Sequence, residues 1–194
     1  MSLYAGRLRA KEWEVRPITI DVARSLVESH HYARGASNTR IATHGLFRVG
    51  DHFDHQAQGV AWWLPPTKPA ALASHPDDWQ GVLSLSRLVV APGVPKNACT
   101  FLLSRSMRLI SRDRWPCLIT YADSWRGHTG GIYRAAGWRF MGETKPERVY
   151  TLNGRMIARK AGARTRTHSE MIAMGCVLEG AFAKLKFMHT AARS

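Results

Sequence analysis

The stretch Val82-Leu-Ser-Leu-Ser-Arg-Leu-Val-Val90, followed by Ala91-Pro-Gly-Val-Pro-Lys-Asn97, decides the fold. The first part is rich in Val and Leu and broken only by small serines and Arg87, so it reads as a strand; the Pro/Gly turn ends it. From Ala98 to about Asp113, Phe101, Leu102, Leu103, Met107, Leu109 and Ile110 fall largely on one side of a helix. Cys117 to Ala122 then reads as a short buried strand. Strand, turn, helix and strand predict two parallel neighbours, because parallel strands need a crossover rather than a hairpin.

Outward from this unit, Trp13 to Ile20 reads as a strand, and Asp21 offers an N-cap for a helix through about His30. Arg40 to Val49 and Gln56 to Leu64 are β-prone runs joined by a hairpin loop at Gly50-Asp-His-Phe-Asp-His, and Pro65-Pro66 closes the second. Downstream lie a loop from Asp123, a short helix at Ile132 to Ala136, and a hairpin expected from Trp138–Gly142 and Arg148–Leu152. A helix at Thr167 to Met174 and a strand-like Phe182 to Met188 follow. The expected class is α/β, one mixed sheet with helices on both faces. The length of 194 residues fits one domain, residues 1–194, with a basic extension from about 155.

Apolar residues make up 45% of the chain, enough for a core. No apolar run approaches a membrane span and the first residues lack an apolar signal core, so a cytoplasmic protein is expected, with no membrane partner. Cys99, Cys117 and Cys176 form no CxxC pair, which excludes zinc ribbons and favours a reducing compartment. The charge is the positive clue. Lys and Arg total 28 against 14 Asp and Glu, a net +14, and residues 145–194 supply half of it. A polyanion partner, most simply nucleic acid, explains this density better than a merely solvated surface.

A strand that feeds a helix through a small-residue turn presents backbone N–H groups to an anion, and Lys96 adds a charge there. Any βα turn has these parts, so the turn alone does not specify a ligand. Arg16-Pro-Ile-Thr-Ile-Asp-Val-Ala, the Leu88-Val-Val-Ala-Pro strand and turn, and Ile132-Tyr-Arg-Ala-Ala-Gly-Trp resemble landmarks of the GNAT acyltransferase superfamily in order along most of the chain. The resemblance implies that Val82–Val90 and Cys117–Ala122 splay apart near Ala91 and Asp123 over an acyl-CoA or other donor. Leu88, Val90, Lys96, Asn97, Ala98 and Ser124 would bind that donor. The usual glycine-rich pyrophosphate loop is replaced here by Pro92-Gly-Val-Pro-Lys-Asn.

A narrower resemblance is carried by Gly59-Val-Ala-Trp-Trp-Leu-Pro-Pro-Thr, Leu83-Ser-Leu-Ser-Arg-Leu, Thr120-Tyr-Ala-Asp with Gly127-His-Thr-Gly, and Ile132-Tyr-Arg-Ala-Ala-Gly-Trp. With His31-Tyr32 and Arg164-Thr-Arg-Thr, these segments are similar to the Mom proteins of Mu-like phages. That family converts adenine in phage DNA to an N6-carbamoylmethyl form, which shields the DNA from restriction. The competing readings are a non-catalytic nucleic-acid-binding module on the same scaffold and a CoA-dependent acetyltransferase acting on protein or a small amine.

Under this resemblance the expected catalytic residues are Asp123, Arg87, Tyr133, His31 and Tyr32 in one cleft. Arg87 interrupts an apolar strand, where a charge needs a partner, and Asp123 ends a buried strand, where open α/β sheets place ligands. Tyr133 matches the position of a general acid. His31 is a candidate base, or a ligand with Asp123 for a metal ion such as iron; His128 in its glycine loop is a weaker candidate. Trp62 and Trp63 face opposite sides of their strand, so one is core and the other, taken as Trp63, is free to stack on a flipped base. Arg159, Lys160, Arg164 and Arg166, with Arg155 nearby, are the better phosphate contacts. Arg105, Arg108 and Arg112 read as a solvated helix face.

Overall fold

The computed structural model describes residues 6–31 and 39–191. Elements in chain order are β1 (Trp13–Pro17), α1 (Ile20–His30), β2 (Ala42–Arg48), β3 (Gly59–Leu64), α2 (Lys68–Leu72), β4 (Val82–Val90), α3 (Ala98–Leu109), β5 (Cys117–Asp123) and α4 (Gly131–Ala135). They continue with β6 (Arg139–Glu143), β7 (Glu147–Leu152), β8 (Arg155–Ile157), β9 (Lys160–Ala161), β10 (Arg164–Thr165), α5 (His168–Ala173), β11 (Val177–Phe182) and β12 (Lys184–Thr190). No helix among the described residues is long and apolar enough to cross a membrane.

Two compact units divide the chain. The first holds residues 1–120, 131–140 and 187–194, and the second 121–130 and 141–186. The large sheet has the order β1-β2-β3-β4-β5-β12-β6. Strands β1 to β4 run antiparallel in sequence, and β4 pairs β5 in parallel, as the strand–turn–helix–strand pattern requires. On one face Ile18, Ala23, Val27, Phe47, Val60 and Trp62 form a core under α1. Helix α1 is capped by the Thr19 hydroxyl, which accepts from the Val22 N–H, so Asp21 sits in the first turn and not at the cap. Helix α3 stops at Leu109, where Ile110 turns extended, short of the expected Asp113.

The second unit has its own sheet, β11-β7-β8, around a small core of Tyr150, Met171 and Cys176. Strand β7 pairs β8 and β11, which corrects the expected Trp138–Gly142/Arg148–Leu152 hairpin. The reason is the Asn153-Gly154 turn. Both residues have positive φ, 50° and 72°, the signature of the tight two-residue turn that joins strands directly. Residues from about 155 onward form β8–β12 and α5. Helix α5 starts with a capping box, the Thr167 hydroxyl taking the Glu170 N–H and the Glu170 carboxylate taking the Thr167 N–H.

Candidate functional site

The site begins where β4 loses its neighbour. Pairing with β5 covers Val82, Ser84 and the residue between them, against Cys117, Leu118 and Ile119, yet β4 runs on to Val90. On its other side β4 stays paired with β3, with a shift in register between Trp62/Arg87 and Trp63/Leu85 that leaves Ser86 as an extra residue. Such a bulge bends its strand, and it lies just past the last β4–β5 pair. The Ala91 N–H donates to the Gln58 carbonyl at 2.8 Å. Antiparallel alternation then turns the backbone groups of Leu88 and Val90 away from β3 and toward the open edge. Val82–Leu85 are buried and Ser86–Val90 only half-buried.

Thr120 and Tyr133 stand at the start of that edge. The Thr120 hydroxyl, 1% exposed, donates to the Leu85 carbonyl at 3.1 Å. It thereby satisfies a backbone acceptor in place of a strand partner. The Tyr133 hydroxyl hydrogen-bonds Thr120 in turn, as donor because the one Thr120 proton goes to Leu85, and burial raises the Tyr133 pKa above its ordinary value. The Tyr133 ring is held against Phe187 and Trp138, at 5.2 and 5.9 Å between centroids. A buried, protonated phenol fixed by aromatic packing beside an open strand edge is the arrangement a proton donor needs. Thr120 was not singled out from sequence; a lone hydroxyl in the apolar run Cys117-Leu-Ile-Thr was the available signal.

The turn after β4 differs from a bare anion cradle. Gly93 and Asn97 have positive φ, 89° and 65°. The Lys96 N–H donates to the Gly6 carbonyl at 3.2 Å, and the Leu8 N–H donates to the Lys96 carbonyl and to Asn97 Oδ1 at 3.3 and 3.0 Å. The N-terminal segment therefore occupies part of the turn and takes the Asn97 side chain. What remains for a ligand is the exposed Lys96 ammonium and the start of α3 at Ala98, which no side chain caps. Beside the turn, Arg7, Arg9 and Arg48 line a recess of about 210 Å³. Within the first turn of α3, burial pushes the Cys99 thiol up to about 11, so it stays a thiol.

Arg87 is half-buried, and its Nη1 donates to the Ser86 carbonyl at 2.8 Å and the Ser86 hydroxyl at 3.2 Å. Part of its hydrogen-bonding capacity thus stabilises the bulge. Trp63 is a correction. Both tryptophans are buried, Trp62 1% and Trp63 0% exposed, because the strand is covered on both faces. Trp62 Nε1 donates to the Thr39 carbonyl at 3.1 Å, and Trp63 Nε1 donates to the Ser106 hydroxyl on α3 at 2.7 Å. Trp63 has no free face for a base. The same Ser106 oxygen lies 2.7 Å from His44 Nδ1, and burial lowers the His44 pKa to about 4. This His44–Ser106–Trp63 cluster is structural.

Asp123, half-buried, and Ser124 belong to the second unit, where the Asp123 carbonyl accepts from the His128 N–H at 3.3 Å and the Ser124 hydroxyl donates to the Ala183 carbonyl. His128 is exposed. His31 caps the C-terminus of α1 through its N–H to the Val27 carbonyl at 2.9 Å; Tyr32 lies outside the described residues. Among the described residues no group of three or more His, Cys, Asp or Glu side chains could hold a metal ion.

The basic segment is ordered into a ribbon. Arg164 faces position 161 and Thr165 faces Lys160 across β9–β10, and the Arg166 N–H continues the pairing to the Arg159 carbonyl. With a period of two, Arg159, Arg164 and Arg166 share one face and Lys160 the other. Arg159 Nε donates to the Arg166 carbonyl at 3.0 Å, Arg166 Nη1 to the Ala158 carbonyl at 3.2 Å, and Arg164 pairs with Glu170. Lys160 and Arg155 are exposed.

Comparison with known proteins now has a geometry to meet. A model of the Mom protein family matches residues 12–189. The methylcarbamoylase mom of Escherichia phage Mu is 26% identical over 151 residues, which cover 75% of this chain and 59% of that protein. The chain thus spans less than two thirds of that relative's length. Among solved structures, the NAA60 of Arabidopsis thaliana in complex with a bisubstrate analogue superposes with a TM-score of 0.57 at 13% identity, covering 94% of this chain and 99% of that one. A ribosomal-protein-alanine N-acetyltransferase of Brucella melitensis gives 0.53 at 10% identity, covering 92% and 99%. A Bacillus subtilis acetyltransferase in complex with CoA gives 0.52 at 11%, covering 93% and 99%. At these identities the likeness establishes the fold, the GNAT-like mixed sheet with its splayed parallel pair.

Proposed function

Because the chain belongs to the Mom protein family, we propose that it is a transferase that modifies adenine at N6 in double-stranded DNA, adding a carbamoylmethyl-type group that protects phage DNA from restriction. The observation that carries this reading is the Tyr133–Thr120–Leu85 chain of hydrogen bonds at the point where β4 opens. The net charge of +14 supports a DNA substrate. The relative from phage Mu is named a methylcarbamoylase, and a fold neighbour binds CoA.

The residues fit an elongated donor of the CoA type. The open edge at Leu88 and Val90 offers backbone groups to an amide-bearing chain, and Lys96 with the uncapped start of α3 at Ala98 offers positive charge to a phosphate. Such a donor would bring the group to be transferred to this edge, with the bond between its methylene carbon and the leaving atom as the one that breaks. Tyr133 holds the proton for the leaving atom, and Thr120 fixes the phenol's direction. Arg87, half-buried on β4, places positive charge toward charge developing on the donor. Asp123, which ends the same strand as Thr120, accepts the proton from N6, a weak nucleophile whose lone pair is delocalised into the ring.

Simple acetyl transfer would leave an N-acyl adenine, so the donor must deliver a methylene carbon to nitrogen. A second reading, a nucleic-acid-binding module without catalysis, draws on the occupied turn, where Gly6 and Leu8 take up Lys96 and Asn97. Mass spectrometry of nucleosides from DNA co-expressed with the protein decides between them. A modified deoxyadenosine that disappears with Tyr133→Phe supports the enzyme; unmodified DNA from cells containing soluble, DNA-binding protein supports the module.

A further inference from the structure

Away from the turn, beyond the middle of α3, a cavity of about 520 Å³ is lined by Ser104, Arg108, Arg112, Ala135, Ala136 and His189, among others. Its polar side comes from a helical spacing, Ser104 and Arg108 at i and i+4, with Arg112 a further four residues on. Its space comes from α4 and the residue after it, where Ala135 and Ala136 are too small to fill it. Among the described residues no acidic side chain lines it. Arg112 Nη2 donates to the Pro116 carbonyl at 3.0 Å and the His189 carbonyl at 3.2 Å, and lies 3.4 Å from His189 Nδ1, all neutral acceptors. Arg112 Nη1 is buried and meets no acceptor among the described residues. Among the described residues neither Arg108 nor Arg112 forms an ion pair, and the Ser104 hydroxyl makes no hydrogen bond.

The charge balance points to a ligand. The C-terminal end of α3 contributes roughly half a negative charge, which a single guanidinium outweighs; the second stays uncompensated. His189 adds no further positive charge, since burial and Arg112 both lower its pKa and keep it neutral. A monovalent carboxylate would leave one arginine unbalanced, whereas a phosphate dianion matches both and suits the guanidinium fork. The volume exceeds that of an inorganic ion and lies within the usual range for organic ligands of about 300–1,000 Å³.

We propose that this cavity is a binding site for an organic phosphate of nucleotide size, its phosphate held by Arg108 and Arg112 with Ser104 donating a further bond. The site is separate from the β4 edge and does not depend on the function proposed above. The phosphate has two sources, a free nucleotide or a nucleotide of a DNA strand.

Calorimetric titration of the full chain with AMP, and anisotropy titration with a 20-base-pair duplex, test it on three proteins: wild type, Arg108→Gln and Ala135→Leu. Ala135→Leu fills the cavity and leaves both arginines in place, so it serves where loss of Arg112 would disturb folding. AMP binding that weakens at least tenfold in both variants, with melting temperatures unchanged in the absence of ligand, establishes a small-molecule site. No AMP binding, but duplex affinity reduced in both variants, assigns the phosphate to DNA. AMP and duplex affinities that are unmoved by both substitutions overturn the proposal, as does AMP binding that survives Ala135→Leu at full strength.

Discussion

The Thr120 hydroxyl donates to the Leu85 carbonyl across 3.1 Å, one residue beyond the last paired positions of β4 and β5, Ser84 and Ile119. A side chain thus does what the next strand pair would have done, and the edge beyond it stays open. Because Tyr133 bonds the same Thr120, the backbone break and the proton donor are set by one hydroxyl. Tyr133→Phe removes only the hydroxyl and should slow adenine modification by about 10²-fold or more. Thr120→Val keeps the shape and should slow it less, roughly tenfold, with a loss of stability of about 1 kcal/mol. Nucleoside mass spectrometry over a time course checks both; a Tyr133→Phe protein that is folded and as fast as wild type removes the tyrosine from the chemistry.

A second prediction comes from the core. Ser106 accepts from Trp63 Nε1, so its own proton points to His44 Nδ1, and the imidazole is held neutral. The folded pKa of about 4 lies below the ordinary histidine value of 6.5. The unfolded chain therefore binds the extra proton first as the pH falls, and folding opposes it. The stabilisation is fully present above pH 6.5 and is lost as the pH drops toward 4, on the order of 3 kcal/mol across the window. Urea unfolding from pH 7 to 4 should show this slope, and His44→Leu should flatten it; an equal slope in the variant would locate the titration elsewhere.

The fold was legible where the information is local. The run Val82–Val90, the Pro/Gly turn and the one-sided apolar pattern of α3 lie next to one another in sequence, and the parallel pair follows from them. The β7–β8 hairpin was equally local, at Asn153-Gly154, but the gap between Gly142 and Arg148 offered a competing loop. What was not legible depends on distant partners. Ser106 is 62 residues from His44 and 43 from Trp63, and Leu85 is 35 from Thr120. Alternation on a strand told correctly that Trp62 and Trp63 face opposite ways. It could not tell that helices cover both faces.

That burial gives a third prediction. Trp63→Phe keeps an aromatic ring but deletes the Nε1 donor to Ser106 and leaves space beside Trp138, whose ring lies stacked at 6.4 Å. Stability should fall by about 1–3 kcal/mol, from the lost hydrogen bond and the cavity. Affinity for duplex DNA should not change, because the ring has no exposed face. An affinity loss in a variant that is still folded at the assay temperature would return Trp63 to the DNA surface.

The last prediction concerns the basic ribbon and separates its charges by what else they do. Arg159 and Arg166 brace the ribbon through the Arg166 and Ala158 carbonyls, and Arg164 is paired with Glu170 beside the capping box of α5. Replacing these three by alanine removes charge and structure together, so lost DNA affinity in such a variant does not by itself identify phosphate contacts. Lys160 lies on the opposite face, exposed, with Thr165 across from it. Lys160→Ala therefore changes charge with little structural cost. Each phosphate contact contributes roughly 0.9 to the slope of log affinity against log salt. If the ribbon lies on DNA by the Lys160 face, that substitution should reduce the slope by about one contact, and Lys160→Glu should weaken binding further at low salt. If DNA meets the arginine face, Lys160→Ala leaves the slope alone, while Arg164→Gln flattens it with little change in melting temperature, because its ion pair with Glu170 is solvent-exposed. An unchanged slope in both variants would move the DNA-binding surface off this ribbon.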